Sequence, residues 1–196
     1  MFFKNQYWYF KKAIPLDQID LIINLCENNN LQQAKIDTKK IVNKKKRDCF
    51  ISWCNDKKIY DIINPYIESA NKNAGWNFEI SWNEDCQYTV YNKSQFYNYH
   101  IDCYSEPYIN NSNKNYNGKI RKLSMTLQLT DPSEYDGGDF YVKYFDSGKV
   151  KEHKIKDAKE KGTLIVFPSS LLHRVTPITK GTRKSLVCWT LGFPFK

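Results

Sequence analysis

At 196 residues with a formal charge of +9, the chain is long enough to bury one substantial core, and its apolar content is that of an ordinary globular protein. No apolar run of about 18 residues occurs, so no membrane span is expected, and the start Met1-Phe2-Phe3-Lys4 lacks the layout of a secretory signal. Six cysteines (Cys26, Cys49, Cys54, Cys86, Cys103, Cys188) form no C-x-x-C pair and no knottin-like spacing, which reads as reduced thiols in a cytoplasmic protein.

Pro15 sits where a helix can begin, and Ile19, Ile22 and Cys26 follow at helical spacing until Asn28-Asn29-Asn30. Lys39 to Asp48 reads as a basic loop, with Arg47 an ordinary surface arginine. Phe50 to Trp53 reads as a short strand. Lys57 to Asn73 predicts a second helix, with a kink or fresh start at Pro65. After Gly75 the character changes. Trp76–Trp82, Cys86–Tyr91 and Phe96–His100 are short aromatic and β-branched runs. Cys103 to Gly118 is long and rich in asparagine, and predicts a mobile cover.

Leu123, Met125, Leu127 and Leu129 then alternate with Ser124, Thr126 and Gln128, a strong strand signal. Further strands are expected at 139–144, 149–155, 162–167, 173–177 and 183–191, with Gly137-Gly138 in a turn. Early helices followed by many short strands predict a mainly β protein: a sandwich or jelly roll buttressed by N-terminal helices. The whole chain reads as one domain, with helical support over 1–75 and a β core over 76–196.

The lysines concentrate in 39–47 and 149–161. Such runs suit nucleic acid or a membrane surface, but no aromatic-plus-arginine array accompanies them, so biased composition is the preferred reading. His153 lies among these charges and reads as solvated.

The chemistry centres on Tyr97-Asn98-Tyr99-His100-Ile101-Asp102. A histidine and an aspartate two positions apart in an extended segment project to one side. One further histidine would complete a two-His-one-carboxylate set, which holds non-haem Fe(II) with open positions. His173 lies in Phe167-Pro168-Ser169-Ser170-Leu171-Leu172-His173-Arg174-Val175-Thr176-Pro177, followed by Gly181-Thr182-Arg183-Lys184-Ser185-Leu186. Alternation places Arg183, Ser185, Val187 and Trp189 on one strand face.

Together with His100 and Asp102, these stretches resemble the Fe(II)- and 2-oxoglutarate-dependent oxygenases, specifically the prolyl-4-hydroxylase-like branch. The resemblance spans Gln87–Asp102, Arg121–Phe140 and Gly162–Gly192. It implies a double-stranded β-helix, a distorted jelly roll, with His100, Asp102 and His173 as metal ligands and catalytic centre. It also implies Arg183, ten residues beyond His173, as the clamp on the distal carboxylate of 2-oxoglutarate. Tyr91 matches a tyrosine that bonds the same carboxylate, with Tyr88 as fallback. Ser185 and Trp189 are pocket neighbours, and Gln128 stands where relatives often have a tyrosine that touches 2-oxoglutarate. Ascorbate is implied as a reductant and O₂ as a co-substrate. The expected substrate is prolyl, or another peptidyl or small amino-acid molecule. The rival readings are a nucleic-acid demethylase of this fold and a jelly-roll binding module with a structural metal.

Overall fold

The computed structural model describes residues 3–35, 42–109 and 111–195. Of the basic stretch 39–48, positions up to 41 lie outside the described residues. In chain order the elements are β1 (Trp8–Phe10), α1 (Leu16–Glu27), β2 (Gln32–Gln33), β3 (Arg47–Asp48), β4 (Phe50–Cys54), α2 (Lys57–Asn73), β5 (Trp82–Asn83) and β6 (Cys86–Tyr91). They continue with β7 (Phe96–His100), β8 (Ile120–Gln128), β9 (Tyr135–Gly137), β10 (Phe140–Asp146), β11 (Lys149–Lys154), β12 (Leu164–Pro168), β13 (Leu172–Val175), β14 (Ile178–Gly181) and β15 (Arg183–Gly192).

The major sheet runs β1-β12-β8-β15-β6-β4-β2, with β5 paired to β15. The minor sheet runs β11-β10-β13-β7-β3, and β14 pairs with β9. The fold is a jelly roll, mainly β with two helices, in accord with its sequence pattern. Strands from before residue 75 complete both sheets, so the N-terminal stretch is more than a helical buttress.

Both faces of the major sheet are buried, against different things. On β8, Leu123, Met125 and Leu127 turn outward into a core shared with Ile19 and Ile22 of α1 and Ile59, Ile63 and Ile67 of α2. Each of these fully buried side chains contributes about 1.5–3 kcal/mol. The opposite stripe, Ser124, Thr126 and Gln128, faces the minor sheet and is also buried. The same alternation on β6 sends Tyr88 toward the helices, where its hydroxyl donates to Glu27, while Gln87, Thr89 and Tyr91 turn inward. Tyr88 is therefore removed as an alternative to Tyr91.

Helix α2 runs unbroken through Pro65, with no fresh start there. Asp56 caps it, its carboxylate accepting from the Lys58 N–H at 2.8 Å, a contact worth about 1 kcal/mol. The stretch 76–81 forms no strand, and Asn77 within it takes a left-handed backbone at φ +49°. The lysines of 149–161 are largely paired. Lys154 and Lys159 meet Asp139 at 2.7 and 3.2 Å, and Lys151 meets Asp146. No helix among the described residues is long and apolar enough to cross a membrane.

Candidate active site

The two sheets enclose a cavity of about 790 Å³ whose lining includes His100, Asp102, His173, Arg183, Tyr91, Ser185 and Trp189. Strand pairing explains the first part of this convergence. β7 and β13 are antiparallel neighbours with His100 directly opposite His173, and Val142 of β10 opposes His173 from the other side. β7 ends at His100, so Asp102 belongs to the bend that follows and not to an extended strand as expected. The backbone N–H groups of Asp102 and Cys103 both donate to the Ser169 carbonyl, at 2.9 and 3.0 Å, and fix that bend.

The three side chains reach one point. His100 Nε2 is 3.6 Å from Asp102 Oδ1, His173 Nε2 is 3.5 Å from Asp102 Oδ2, and one donor atom from each of the three lies within 4.8 Å of the other two. His100 Nδ1 sits 2.8 Å from the Asn98 carbonyl and His173 Nδ1 2.8 Å from the Leu171 carbonyl. A carbonyl can only accept, so each Nδ1 carries the proton and each Nε2 presents a lone pair to the shared point. Burial, reinforced by His173, holds the His100 imidazole well below its ordinary pKa despite the nearby carboxylate, which favours the neutral form a metal requires.

Burial resists ionisation of Asp102, but His173, His100 and Arg121 outweigh it and hold the carboxyl below its usual value. Ser124 donates to Asp102 Oδ2 at 2.7 Å and lies 2.9 Å from the Ser169 hydroxyl. Two imidazole nitrogens and one carboxylate oxygen fit Fe(II) with further positions open; Cys103, the residue next to Asp102, is not part of the set.

Arg183 lies at the far end of the inward face of β15. It is 3% exposed, donates to Ser185 Oγ at 3.2 Å and sits 5.6 Å from the Tyr91 ring centre. No carboxylate among the described residues pairs with it. A buried guanidinium without a counter-charge fits the distal carboxylate of 2-oxoglutarate. Gly138 makes room for it: at φ +61° it has the left-handed backbone glycine favours, and a Cβ there would come within 2.9 Å of Arg183 Cδ. Gln128 is not part of the cavity wall. Its amide N–H donates to the Tyr135 hydroxyl at 3.1 Å, and Tyr135 also contacts Arg183, so Gln128 acts on the clamp at one remove. Its Oε1 is buried without a partner, as is the indole N–H of Trp189, which draws the Asp102 carboxyl down but falls short of regular hydrogen-bond geometry.

Sequence reading overlooked Ser124 and Ser169, although Ser124 belongs to the polar stripe it identified on β8. It also overlooked Arg121, which is gripped by Glu84 at 2.6 and 2.7 Å, lies 3.9 Å over the Trp189 ring and donates to the Asp102 carbonyl. Arg47, taken for a surface residue, is buried at the cavity wall. The loop after Asp102 is tied down and not a loose cover. Tyr108 exchanges backbone hydrogen bonds with Lys119 and Gly118 and donates its hydroxyl to Glu84 at 2.8 Å. The side chains of Asn111, Asn113 and Asn117 bond the loop's own backbone. Tyr104 and Tyr108 still line the cavity. His153 is exposed and bonded to Tyr7, away from the metal point.

A fold of this topology with this donor set is that of a non-haem iron oxygenase. Residues 86–191 match the family described as the 2OG-Fe(II) oxygenase superfamily, and the chain belongs to that family, which implies Fe(II) and 2-oxoglutarate at a site of this kind. Among curated proteins it is 36% identical over 102 residues to the PKHD-type hydroxylase YbiX of Escherichia coli, a match covering 50% of this chain and 39% of that one. The chain thus spans well under half the length of the curated relatives it matches. Among solved structures it is similar to a prolyl-4-hydroxylase of Pseudomonas putida, with TM-score 0.68, 19% identity and coverage of 95% and 93%. It is also similar to the viral collagen prolyl hydroxylase of Paramecium Bursaria Chlorella virus-1, with TM-score 0.66, 19% identity and coverage of 96% and 97%. At these identities the structural likeness speaks for the fold.

Proposed function

We propose that the chain hydroxylates a C–H bond of a prolyl or other peptidyl or amino-acid substrate, with His100, Asp102 and His173 as the ligands of Fe(II). The observation that carries the reading is the pairing of a three-donor point with an unpaired buried arginine in one cavity. Bound Fe(II), with 2-oxoglutarate and O₂, supplies oxidation of C–H to C–OH, with succinate and CO₂ as the other products.

The protein's own residues orient and shield. His100 and His173 keep Nε2 forward because Nδ1–H is committed to backbone carbonyls. Ser124 holds one carboxylate oxygen of Asp102, which leaves the other to face the metal point. Arg183, with Ser185 and Tyr91 beside it, takes the distal carboxylate of 2-oxoglutarate. Trp189, Tyr104 and Tyr108 wall the cavity against water. The prolyl preference draws on the relatives named as prolyl hydroxylases and on the aromatic wall, against which a proline ring packs well. Ascorbate as a reductant belongs to this proposal through family resemblance and through no particular residue.

The test is to supply Fe(II) and 2-oxoglutarate with panels of proline-containing peptides, free amino acids and methylated oligonucleotides. Succinate formation and a one-oxygen mass gain are then measured. Turnover stimulated by a peptide or amino acid is the expected result; stimulation by oligonucleotides alone would overturn it.

A further inference from the structure

One buried charge in the cavity is left over once metal and co-substrate have been assigned. Arg47 follows an exposed turn of lysines, pairs with Tyr97 as β3 joins β7, and is 7% exposed. Its guanidinium lies 4.5 Å above the Tyr97 ring, and Tyr97 stacks on the His100 imidazole with ring centres 3.4 Å apart. The Nε–H donates to Cys49 Sγ at 3.1 Å and Nη2 donates to Gln87 Oε1 at 2.5 Å. No carboxylate among the described residues pairs with it. The adjacent acid, Asp48, accepts from Gln33 and Gln95 instead. The third arginine of the cavity wall, Arg121, has Glu84. Two arginines of the wall are therefore buried without a counter-charge, and Tyr91 lies within the influence of both.

An uncompensated guanidinium is costly to bury, and its fork matches a carboxylate in two parallel hydrogen bonds. A neutral glutamine steadies that fork without cancelling its charge. 2-Oxoglutarate carries one distal carboxylate, and Arg183 accounts for it. We propose that Arg47, held by Gln87, is a second anion anchor, and that the molecule hydroxylated brings its own carboxylate to it. This rests on the reading of Arg183 as the co-substrate clamp. The carboxylate is either the main-chain terminus of an amino acid or peptide, or an acidic side chain beside the reacting residue.

The test uses the full chain loaded with Mn(II) and 2-oxoglutarate without oxygen, so that binding is read apart from turnover. Matched probes are titrated by calorimetry: N-acetylproline against its amide for a terminal carboxylate, and acetyl-Pro-Glu-amide against acetyl-Pro-Gln-amide for a side chain. In the wild type, the acid of at least one pair should bind roughly tenfold tighter than its neutral partner, the scale of one charge-assisted pair. Arg47→Gln should erase that preference while 2-oxoglutarate affinity stays within about twofold. Gln87→Glu, which supplies an internal carboxylate to Arg47, should do the same, so the outcome does not hang on one variant. No acid preference in the wild type, or a preference that survives Arg47→Gln, overturns the proposal. If Arg47→Gln weakens 2-oxoglutarate as Arg183→Gln does, Arg47 belongs to the co-substrate and the anchor is refuted while the oxygenase reading stands. Failure of the wild type to bind 2-oxoglutarate would sink the earlier reading itself.

Discussion

Glu84, in the connection between β5 and β6, and Arg121, at the start of β8, form a two-pronged ion pair at 2.6 and 2.7 Å, and both side chains are almost fully buried. Tyr108 and the Asp102 carbonyl attach to the same pair, so loop and metal bend share one anchor. Glu84→Gln leaves Arg121 charged in a dry site and should cost about 3–5 kcal/mol in urea unfolding. The double variant Glu84→Gln/Arg121→Met should recover part of that loss. Equal stability of Glu84→Gln and the wild type would refute the role.

Removing His173 leaves two donors at the metal point. His173→Ala should lose Fe(II)-dependent succinate formation while unfolding within a few kcal/mol of the wild type. Chelation of the wild type should abolish activity and added Fe(II) restore it. Turnover by the variant in chelator would remove the metal assignment.

Arg183→Ala should weaken 2-oxoglutarate by about 2–3 kcal/mol, the scale of an unpaired charged group in a buried site. Lys122 and Lys180 are the alternatives suggested by chain position, and neither can substitute. Lys122 lies over Phe195 on the far side of the sheet, and Lys180 is exposed on β14. An unchanged affinity would transfer the clamp to Arg47.

Asp139 gives a pH test remote from the metal. Burial raises its pKa, but Lys154 and Lys159 more than offset this and hold it below the ordinary value. A carboxyl with a lowered folded-state pKa stabilises fully above its unfolded pKa of about 4, and that stability is lost as pH falls through the folded value. Asp139→Asn should therefore cost about 1 kcal/mol at pH 7 and almost nothing near pH 2. Urea midpoints at the two pH values decide it.

Lys44, Lys45 and Lys46 are exposed; the carbonyls of Lys45 and Lys46 accept from Asn98, and Lys46 stands at the rim of the cavity. Replacing all three by glutamine should leave peptide hydroxylation intact. A steep, salt-dependent loss of oligonucleotide binding would instead favour the nucleic-acid reading.

The strands of the second half are legible because Leu123, Met125 and Leu127 alternate with polar residues, and because His173 and Arg183 sit in a family-like run. What alternation cannot tell is where the polar face looks. Ser124, Thr126 and Gln128 face a covered interior, which alternation by itself does not disclose, so the hydrogen bond from Ser124 to Asp102 has no sequence signal. Arg47 was hidden for a related reason. A run of lysines before it suggests a solvated loop, and only the pairing of β3 with β7 turns its side chain inward. The stretch 103–118 has no periodicity, and its order comes from asparagine side chains bonding local backbone, a pattern short-range chemistry makes but spacing does not display.

The position of β11 explains part of the excess charge. It is the outermost strand of the minor sheet, with one row of backbone donors and acceptors left without a neighbouring strand among the described residues. Val150 is 69% exposed there. Such an edge is a template on which a second copy could add a strand and begin aggregation. Lys149, Lys151, Glu152 and Lys154 make that addition unfavourable, because an incoming copy would bring its own charged row against theirs. The lysines of this region thus act as solubility guards for an unprotected edge, and neutralising them should be felt first in the concentration the protein tolerates.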